Sequence, residues 1–255
     1  MHLAGYRELS LPFTYVPFAV TDLAGAVRGM RALGIRGLGV SMPYKQAVMP
    51  LLDSIDEGAA RIGAVNTIVN DEGRLAGYNT DASGAVQAIE EVLPLSSARV
   101  LLLGAGGAAR AIAHGVSARG AKVRVANRDA AKARILAAEI GADAAGLDEA
   151  ARAGSYDIVI NATSVGMSLA EGTPPTSPVP ENGLREGLVV MDIVYKPIET
   201  ELVRAARQRG ARIIHGGRML LYQAARQFEL YTGCPAPLAA MERALLDQIE
   251  PPRPT

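Results

Sequence analysis

A lysine near a proline is the first residue in the chain whose position suggests chemistry. The stretch GVSMPYK, residues 39–45, follows an apolar run and ends on Lys45. Proline is favoured in the first turn of a helix, so the stretch predicts a helix that opens at Pro43. The helix dipole disfavours an ammonium group in that turn, which helps a lysine to act as a proton carrier. A solvated lysine on a surface helix explains this segment at least as well.

A carboxylate partner for Lys45 is available in the stretch GYNTD, residues 77–81. Asp81 lies between a predicted hairpin and a predicted helix, at the expected junction of two domains. A carboxylate beside an ammonium group would hold it in place and adjust its readiness to give up a proton. Asp81 could equally be an ordinary helix cap. Asn66, in the stretch AVNT, could bind a substrate hydroxyl or satisfy strand backbone.

A glycine-rich turn is the strongest local signal for a cofactor. In LLLGAGGAAR, residues 101–110, three glycines follow a predicted buried strand and precede a predicted helix. Glycines let backbone N–H groups approach a pyrophosphate, and the helix start adds partial positive charge. Because the next strand falls where a βαβ unit needs it, we predict a dinucleotide site rather than a purely structural turn. The predicted contacts are Gly104, Ala105, Gly106, Gly107 and Ala108.

The end of the next strand bears on which dinucleotide binds. An acidic residue there would accept hydrogen bonds from the ribose 2′-OH, but the sequence has Asn127 followed by Arg128. A guanidinium pairs well with a phosphate, so Arg128, helped by Lys132, favours NADP. Asp129 acts in the opposite direction and leaves NAD open. Arg128 could also be a plain surface arginine.

The coarse order of elements predicts an α/β fold with two domains. Residues 1–82 mix helices and strands, including a strand at FTYVPFAV and a hairpin around Glu72-Gly73. Residues 83–216 alternate apolar strands with alanine-rich helices, which is typical of a Rossmann-type doubly wound parallel sheet. The helices expected in 217–255 are predicted to pack back on the first domain. NATSVGM, residues 161–167, follows a strand at its carboxyl end, where a nicotinamide could approach small residues; a plain turn is equally possible.

Composition excludes several classes of function. The chain has 255 residues, with 26 basic and 26 acidic ones, so no net charge attracts nucleic acid or an anionic membrane. Its single cysteine, Cys234, excludes an internal disulfide and suits a reducing cytoplasm. The three histidines lie far apart without ligand spacing, and we expect no metal site. The apolar runs are too short to span a bilayer, and no leader is recognised.

Taken together, eight stretches in this order resemble the shikimate dehydrogenase family over nearly the whole chain: GVSMPYK, AVNT, GYNTD, GAGGAAR, ANR, NATSVGM, DIVY and YQAARQFELYTG. The resemblance implies reversible reduction of 3-dehydroshikimate to shikimate with NADPH, a step toward aromatic amino acids. It implies that Lys45 and Asp81 form the catalytic pair. It also implies substrate contacts at Ser41, Asn66, Tyr195 and Gln223, and cofactor contacts at the glycine turn, Asn127, Arg128, Thr163 and Met219.

The chain departs from this family in three respects. The family normally has an asparagine and a threonine where this chain has Gly39 and Ser41. The stretches ALGIRGLGVSMPYK and QFELYTG resemble the shikimate dehydrogenase-like branch of the family, whose role is less settled. In relatives, a strand and a loop with two serines precede the helix at which the given sequence begins. If that segment is truly absent, we expect an empty central strand position in the first sheet, and weaker substrate binding that depends mainly on Tyr195. A misassigned start codon would explain the gap equally well.

Three functions follow from these observations as alternatives. The first is an NADP-dependent shikimate dehydrogenase acting on a small molecule, as a monomer or homodimer in the cytoplasm. The second is a related enzyme that acts on quinate or an aminated shikimate, which Gly39 and Asp129 would permit. The third is a dinucleotide-binding protein with little turnover. A titration with NADP, NAD and shikimate separates the three.

Overall fold

The computed structural model describes residues 1–167 and 176–249, which form two β-sheets with helices around them. The first sheet has the strand order β1-β3-β4-β2 and contains both parallel and antiparallel pairs. The second has the order β10-β9-β8-β5-β6-β7, with every pair parallel. The α/β prediction, with one mixed sheet and one doubly wound sheet, is confirmed.

The first sheet is built from four short strands with three helices beside it. Asp22 caps α2 by accepting from Gly25 N at 2.8 Å, as its position before an apolar helix predicts. Glu72 and Gly73 have φ of 50° and 88°, which confirms the predicted hairpin turn between β3 and β4. The elements are α1 (His2–Glu8), α2 (Leu23–Ala32), β1 (Gly37–Gly39), β2 (Ser54–Ile55), α3 (Glu57–Ile62), β3 (Thr67–Asp71) and β4 (Arg74–Tyr78).

Two local predictions in this part are wrong. Residues 13–20 form no strand: they lie in irregular structure with Val16 and Phe18 exposed, although β1 pairs with β3 alone and is an edge strand of its sheet. Lys45 is not in a helix either. Residues 42–48 form consecutive turns before a short 3₁₀ segment at Met49–Leu51. The carbonyl of Lys45 accepts from Val65 N at 2.8 Å, so that carbonyl serves a neighbouring segment instead of a helix.

The second sheet is covered on both faces. One apolar cluster packs α4 and α5 against Val100, Leu102 and Ile160, and another packs the opposite face around Leu101 and Val159. These fully buried, β-branched-rich strands are what a parallel sheet requires. The elements are α4 (Thr80–Glu90), β5 (Arg99–Leu103), α5 (Gly107–Ala118), β6 (Lys122–Ala126), α6 (Ala130–Glu139), β7 (Asp143–Ala145), β8 (Ile158–Asn161), β9 (Val189–Asp192), α7 (Glu201–Gln208) and β10 (Arg212–His215).

Two C-terminal helices, α8 (Gly216–Thr232) and α9 (Leu238–Ile249), pack on each other and on α1, and α8 also contacts β3. Phe228 of α8 and Met241 of α9 are buried in one cluster with Tyr6 of α1. Helix α8 also crosses α4 closely: a Cβ on Gly84 would lie 2.8 Å from both Gln223 N and Met219 O. Helix α8 therefore links the two sheets. The predicted domain boundary at residues 82 and 83 falls inside α4, and that division stays a prediction.

Candidate active site

Lys45 and Asp81, which are 36 residues apart in the chain, form an ion pair. Lys45 Nζ donates to Asp81 Oδ2 at 2.7 Å. The lysine side chain is 25% exposed and the carboxylate only 6%, so the acid is held inside the protein while the amine reaches the surface of a cavity. An amine in this position can exchange a proton with a bound ligand.

Asp81 is not the cap of its helix, so the capping alternative for this residue is wrong. Asn79 occupies the cap, and its side-chain oxygen accepts from Asp81 N at 3.0 Å and from Ala82 N at 3.4 Å. Asp81 lies in the first turn of α4 with both carboxylate oxygens turned to other side chains. Its carboxylate is therefore available to Lys45.

Asn66, directly before β3, connects the pair to the start of that strand. Asn66 Nδ2 donates to Asp81 Oδ1 at 2.9 Å, and its Oδ1 accepts from Thr80 N at 2.8 Å and from Thr67 Oγ1 at 2.7 Å. As whole residues, all four are at most 4% exposed. Because each amide atom already has a protein partner, Asn66 is fixed in one orientation and fixes Asp81 in turn.

A cavity of about 200 Å³ opens beside this pair. Four residues predicted from the sequence line it: Ser41, Lys45, Asn66 and Gln223. The sequence reasoning missed Tyr15 and Gln227, which also line it. The only sequence signal was Gly39: a Cβ there would lie 2.9 Å from Tyr15 Oη and 3.6 Å from Gln227 Nε2, so these groups occupy the space of a larger side chain.

Tyr195 does not join this group in the structure. It follows β9, is 40% exposed and does not line the cavity. Its predicted contact with a substrate carboxylate stays a prediction.

The glycine turn lies at the carboxyl end of β5 in the second sheet. Gly104 has φ of +114°, and a Cβ there would lie 2.8 Å from the carbonyl oxygen of Ala162. Gly106 caps α5 without a side-chain hydrogen bond, and space is open around Gly106 and Gly107. The first N–H groups of a twelve-residue helix therefore face open space, which fits a pyrophosphate.

The residues after β6 show how Asp129 is used. Its Oδ1 accepts from Ala131 N at 3.0 Å and Lys132 N at 3.3 Å, so it caps α6. Lys132 Nζ lies 3.8 Å from the other carboxylate oxygen. Arg128 is exposed, and Asn127 donates to Asp129 O at 3.1 Å. With Asp129 engaged as a cap, Arg128 is the residue open to a phosphate.

A buried polar network holds the loop after β8, and the sequence reasoning missed it. Asn161 Nδ2 donates to Asp192 Oδ1 at 2.9 Å, while Thr163 Oγ1 donates to Asn161 Oδ1 at 2.7 Å. Thr200 donates to Asp192 Oδ2 at 2.7 Å, and burial raises the pKa of Asp192. The network fixes Thr163 next to Gly104, whose Cβ position lies 3.3 Å from Thr163 Cγ2. Asn161 and Asp192 close adjacent parallel strands, and this was the available signal.

Met219 lies on α8, where it is 7% exposed. Gln223 is one turn further along α8 and lines the cavity, so one helix carries a predicted cofactor contact and a predicted substrate contact.

Within residues 1–167 and 176–249, no group of three or more histidine, cysteine, aspartate or glutamate side chains could hold a metal ion. In the same part of the chain, no helix is long and apolar enough to cross a membrane.

The fold and these two sites define a class of protein. A doubly wound parallel sheet with an open glycine turn, joined to a second sheet that carries a lysine–aspartate pair in a cavity, is the architecture of a dinucleotide-dependent oxidoreductase.

Three family models match the chain: shikimate dehydrogenase substrate binding domain over residues 1–68, shikimate / quinate 5-dehydrogenase over 86–204, and shikimate 5'-dehydrogenase C-terminal domain over 216–246. Shikimate dehydrogenase (NADP(+)) of Pyrococcus abyssi is 45% identical over 250 residues, 98% of this chain and 92% of the relative. That of Methanothermobacter thermautotrophicus is 45% identical over 260 residues, 96% of this chain and 89% of the relative.

Solved structures agree with these matches. A shikimate dehydrogenase in complex with NADP+ superposes with a TM-score of 0.92 at 38% identity, covering 98% of this chain and 90% of the other. Shikimate 5-dehydrogenase from Thermus thermophilus, in complex with NADP(H) and shikimate, gives a TM-score of 0.88 at 36% identity, covering 96% and 92%. The chain belongs to the shikimate dehydrogenase family.

Proposed function

We propose that this protein is an NADP-dependent oxidoreductase that interconverts shikimate and 3-dehydroshikimate, a step toward the aromatic amino acids. Its relatives of this name are 45% identical over nearly its whole length. The observation that carries the proposal is the 2.7 Å contact of Lys45 with Asp81 beside the cavity. Oxidation of an alcohol needs a group that removes the hydroxyl proton, and this pair supplies one.

The glycine turn and its neighbours are the proposed cofactor site. Gly106 and Gly107 have open space in front of the helix α5, and Arg128 is exposed at the end of β6. The N–H groups of the turn, from Gly104 to Ala108, would hold the pyrophosphate, and Arg128 with Lys132 would hold the 2′-phosphate. Thr163 and Met219 are proposed to lie near the nicotinamide. When bound, NADP supplies the acceptor for the hydride of the substrate carbon.

The chain's own residues handle the proton. In oxidation, Lys45 Nζ in its neutral amine form takes the hydroxyl proton of shikimate and becomes ammonium, and in reduction the ammonium returns that proton to the oxygen. Asp81 holds the amine at 2.7 Å, and Asn66 holds Asp81 through a 2.9 Å hydrogen bond. Ser41 and Gln223 offer polar groups to the substrate's hydroxyls along the cavity wall, whereas Asn66, which also lines it, uses its amide to hold Asp81. Tyr195, which lies outside that wall, is proposed to bind the substrate carboxylate.

The proposed place of action is the cytoplasm, which suits a chain with one cysteine. A monomer or homodimer stays the expectation for its assembly in solution.

A matrix of substrates and cofactors tests the proposal. The purified protein is incubated with shikimate or quinate, each with NADP or NAD, and formation of reduced nicotinamide is followed by absorbance. We expect the highest kcat/KM with shikimate and NADP. Faster turnover of quinate would favour the neighbouring activity, which a quinate dehydrogenase from Corynebacterium glutamicum, 34% identical and solved in complex with NAD, makes a concrete alternative. Cofactor binding by calorimetry without any turnover would contradict the proposal.

A further inference from the structure

A line of hydrogen bonds runs from helix α8 to Lys45 through the interior of the protein. It begins at Gln227, which is 5% exposed, and passes through Thr67, which has no exposed surface. The bonds are Gln227 Nε2 to Thr67 Oγ1 at 2.9 Å, Thr67 Oγ1 to Asn66 Oδ1 at 2.7 Å, Asn66 Nδ2 to Asp81 Oδ1 at 2.9 Å, and Lys45 Nζ to Asp81 Oδ2 at 2.7 Å.

The ion pair of Lys45 and Asp81, at one end of this line, determines which group donates in every other bond. An ammonium group can only donate, and an ionised carboxylate can only accept. The NH₂ group of Asn66 must therefore face Asp81, and this orientation places the side-chain oxygen of Asn66 toward Thr67. The single hydrogen of the Thr67 hydroxyl is then given to Asn66. The Thr67 hydroxyl oxygen can then only accept a further hydrogen bond, so its second partner must be a donor.

Gln227 is that donor. Its amide nitrogen also lies 3.3 Å from the backbone carbonyl oxygen of Asn66. Gln227 therefore supports Asn66 both directly, at the backbone, and indirectly, through the Thr67 side chain. Without this amide, the Thr67 hydroxyl could rotate away from Asn66, and Asn66 would lose one of the bonds that orient it. Burial raises the cost of such a loss, because no water replaces the missing partner.

We propose that Gln227 is a positioning residue for the reaction: through Thr67 and Asn66 it holds Asp81, and therefore Lys45, in the orientation needed for proton transfer. This inference rests on the proposed function, because it assigns the effect to the same lysine. The side chain of Gln227 lines the cavity, but its hydrogen bonds go to Thr67 and to the backbone of Asn66 and not to Lys45 or Asp81. Its removal should therefore change kcat more than the KM for shikimate.

The test begins with Gln227→Met, which keeps the length of the side chain and removes the donor. We expect kcat to fall by about 3- to 10-fold, the effect of roughly one hydrogen bond, with KM for NADP unchanged. Thr67→Val should lower kcat by a similar factor, and Thr67→Ser, which keeps the hydroxyl, should restore it. Gln87→Met, at an exposed position of α4, is the matched control and should leave kcat unchanged.

The double variant Gln227→Met with Thr67→Val separates a connected line from two independent contacts. If Gln227 acts through Thr67, the double variant should be about as slow as either single variant. If the double variant lowers kcat by the product of the two single factors, the two residues act independently and the proposal is overturned. A raised KM for shikimate at unchanged kcat would also overturn it and would show that Gln227 only lines the substrate cavity. Thermal melting checks folding. Should Gln227→Met unfold, Gln227→Glu replaces it: it keeps the shape, has no donor, and should also lower kcat.

A second measurement does not depend on turnover. The rate at which an acylating reagent modifies Lys45 at fixed pH, followed by peptide mass spectrometry, reports how firmly Asp81 holds the amine. We expect this rate to rise at least about twofold in Gln227→Met, by loss of roughly one hydrogen bond's support, and to stay unchanged in Gln87→Met. An unchanged rate in both would overturn the inference. If the unmodified protein fails to oxidise shikimate, the proposed function fails, while the acylation comparison still tests Gln227.

Discussion

The two sheets prepare their sites with different parts of the chain. At the first sheet, the cavity depends on side chains: Lys45, Asn66 and Asp81 come from three separate segments and meet through hydrogen bonds of 2.7 and 2.9 Å. At the second sheet, the open turn depends on backbone: Gly104, Gly106 and Gly107 leave N–H groups and space. A backbone site is encoded within ten residues of sequence, whereas a side-chain site requires the fold to bring its members together.

This difference also predicts how each site fails. Substitution of one side chain at the first sheet should remove the chemistry and leave the fold and the cofactor site intact. Addition of a side chain at Gly104 of the second sheet's turn should disturb the fold, because backbone of Ala162 occupies the space that the new group needs. The following predictions test this contrast, beginning with the largest effect.

Replacing Lys45 should have the largest effect on turnover. With Lys45→Ala, kcat for shikimate oxidation should fall by about 10² to 10⁴, because the group that accepts the hydroxyl proton is gone. Calorimetry should show unchanged affinity for NADP, since Lys45 lies at the first sheet. Lys122→Ala, at an exposed position at the start of β6, is the control and should retain full activity. Normal turnover by Lys45→Ala would remove this lysine from the mechanism.

Adding a methyl group at the glycine turn should affect stability. Gly104→Ala places a Cβ 2.8 Å from Ala162 O, in a backbone conformation with φ of +114° that side chains rarely adopt. The free energy of unfolding, measured with urea, should fall by about 1–3 kcal/mol. The matched substitution Gly107→Ala meets open space at the start of α5 and should not destabilise the protein. Equal losses in both variants would contradict the backbone account.

Cofactor preference should depend on Arg128. Arg128→Ala should raise the KM for NADP by roughly 10- to 100-fold, which is the worth of a charge-assisted contact with the 2′-phosphate, and should leave the KM for NAD nearly unchanged. Arg134→Ala removes an exposed arginine from the same region and serves as the control. If both cofactors were affected equally, Arg128 would not be the residue that distinguishes them.

The smallest predicted effect is a dependence of stability on pH through His2. Burial lowers the pKa of His2 to about 4, with a hydrogen bond to Gln227 opposing, and its Nδ1 is buried without a hydrogen-bond partner in the described part of the chain. The ordinary histidine pKa is 6.5, so between these values the unfolded chain binds the proton and the folded protein does not. The free energy of unfolding should therefore decrease as the pH falls from about 6.5 toward 4.

Urea unfolding at neutral pH and near pH 5 measures this effect, which should reach about 2 kcal/mol at most at the lower pH. His2→Phe keeps an aromatic ring stacked on Tyr15, 4.3 Å between centroids in the native protein, and has no proton to gain. It should lose less stability on acidification than the unmodified protein. Identical losses would show that His2 does not titrate in this range.

The sequence predicted the second sheet better than the first, for a physical reason. The stretch LLLGAGGAAR could be interpreted from its own residues, because strand, turn and helix follow one another directly in the chain. The hairpin at Glu72-Gly73 was predictable on the same ground. By contrast, residues 13–20 have the composition of a strand but pair with no strand of the first sheet, and local propensity could not reveal that. The helix predicted at Lys45 failed because the Lys45 carbonyl bonds Val65 instead.

Asp81 shows the same limit at the site. From the sequence alone, a cap and a partner for Lys45 were both open, and the choice depended on whether Asn79 would take the cap. For Tyr15 and Gln227 the sequence signal was Gly39 alone, which indicates that a larger side chain has no space there but does not show which residues fill that space.

By itself, the sequence determined the alternation of strands and helices, the glycine turn, the neutral charge and the residues able to exchange a proton. Only the tertiary structure decided that Lys45 and Asp81 meet, that Asp129 serves as a cap, and that Gln227 reaches Thr67 across 160 positions of chain. Periodicity and turn chemistry act over a few residues and can be read along the chain. Contacts between distant side chains exist only after the sheets and helices have packed.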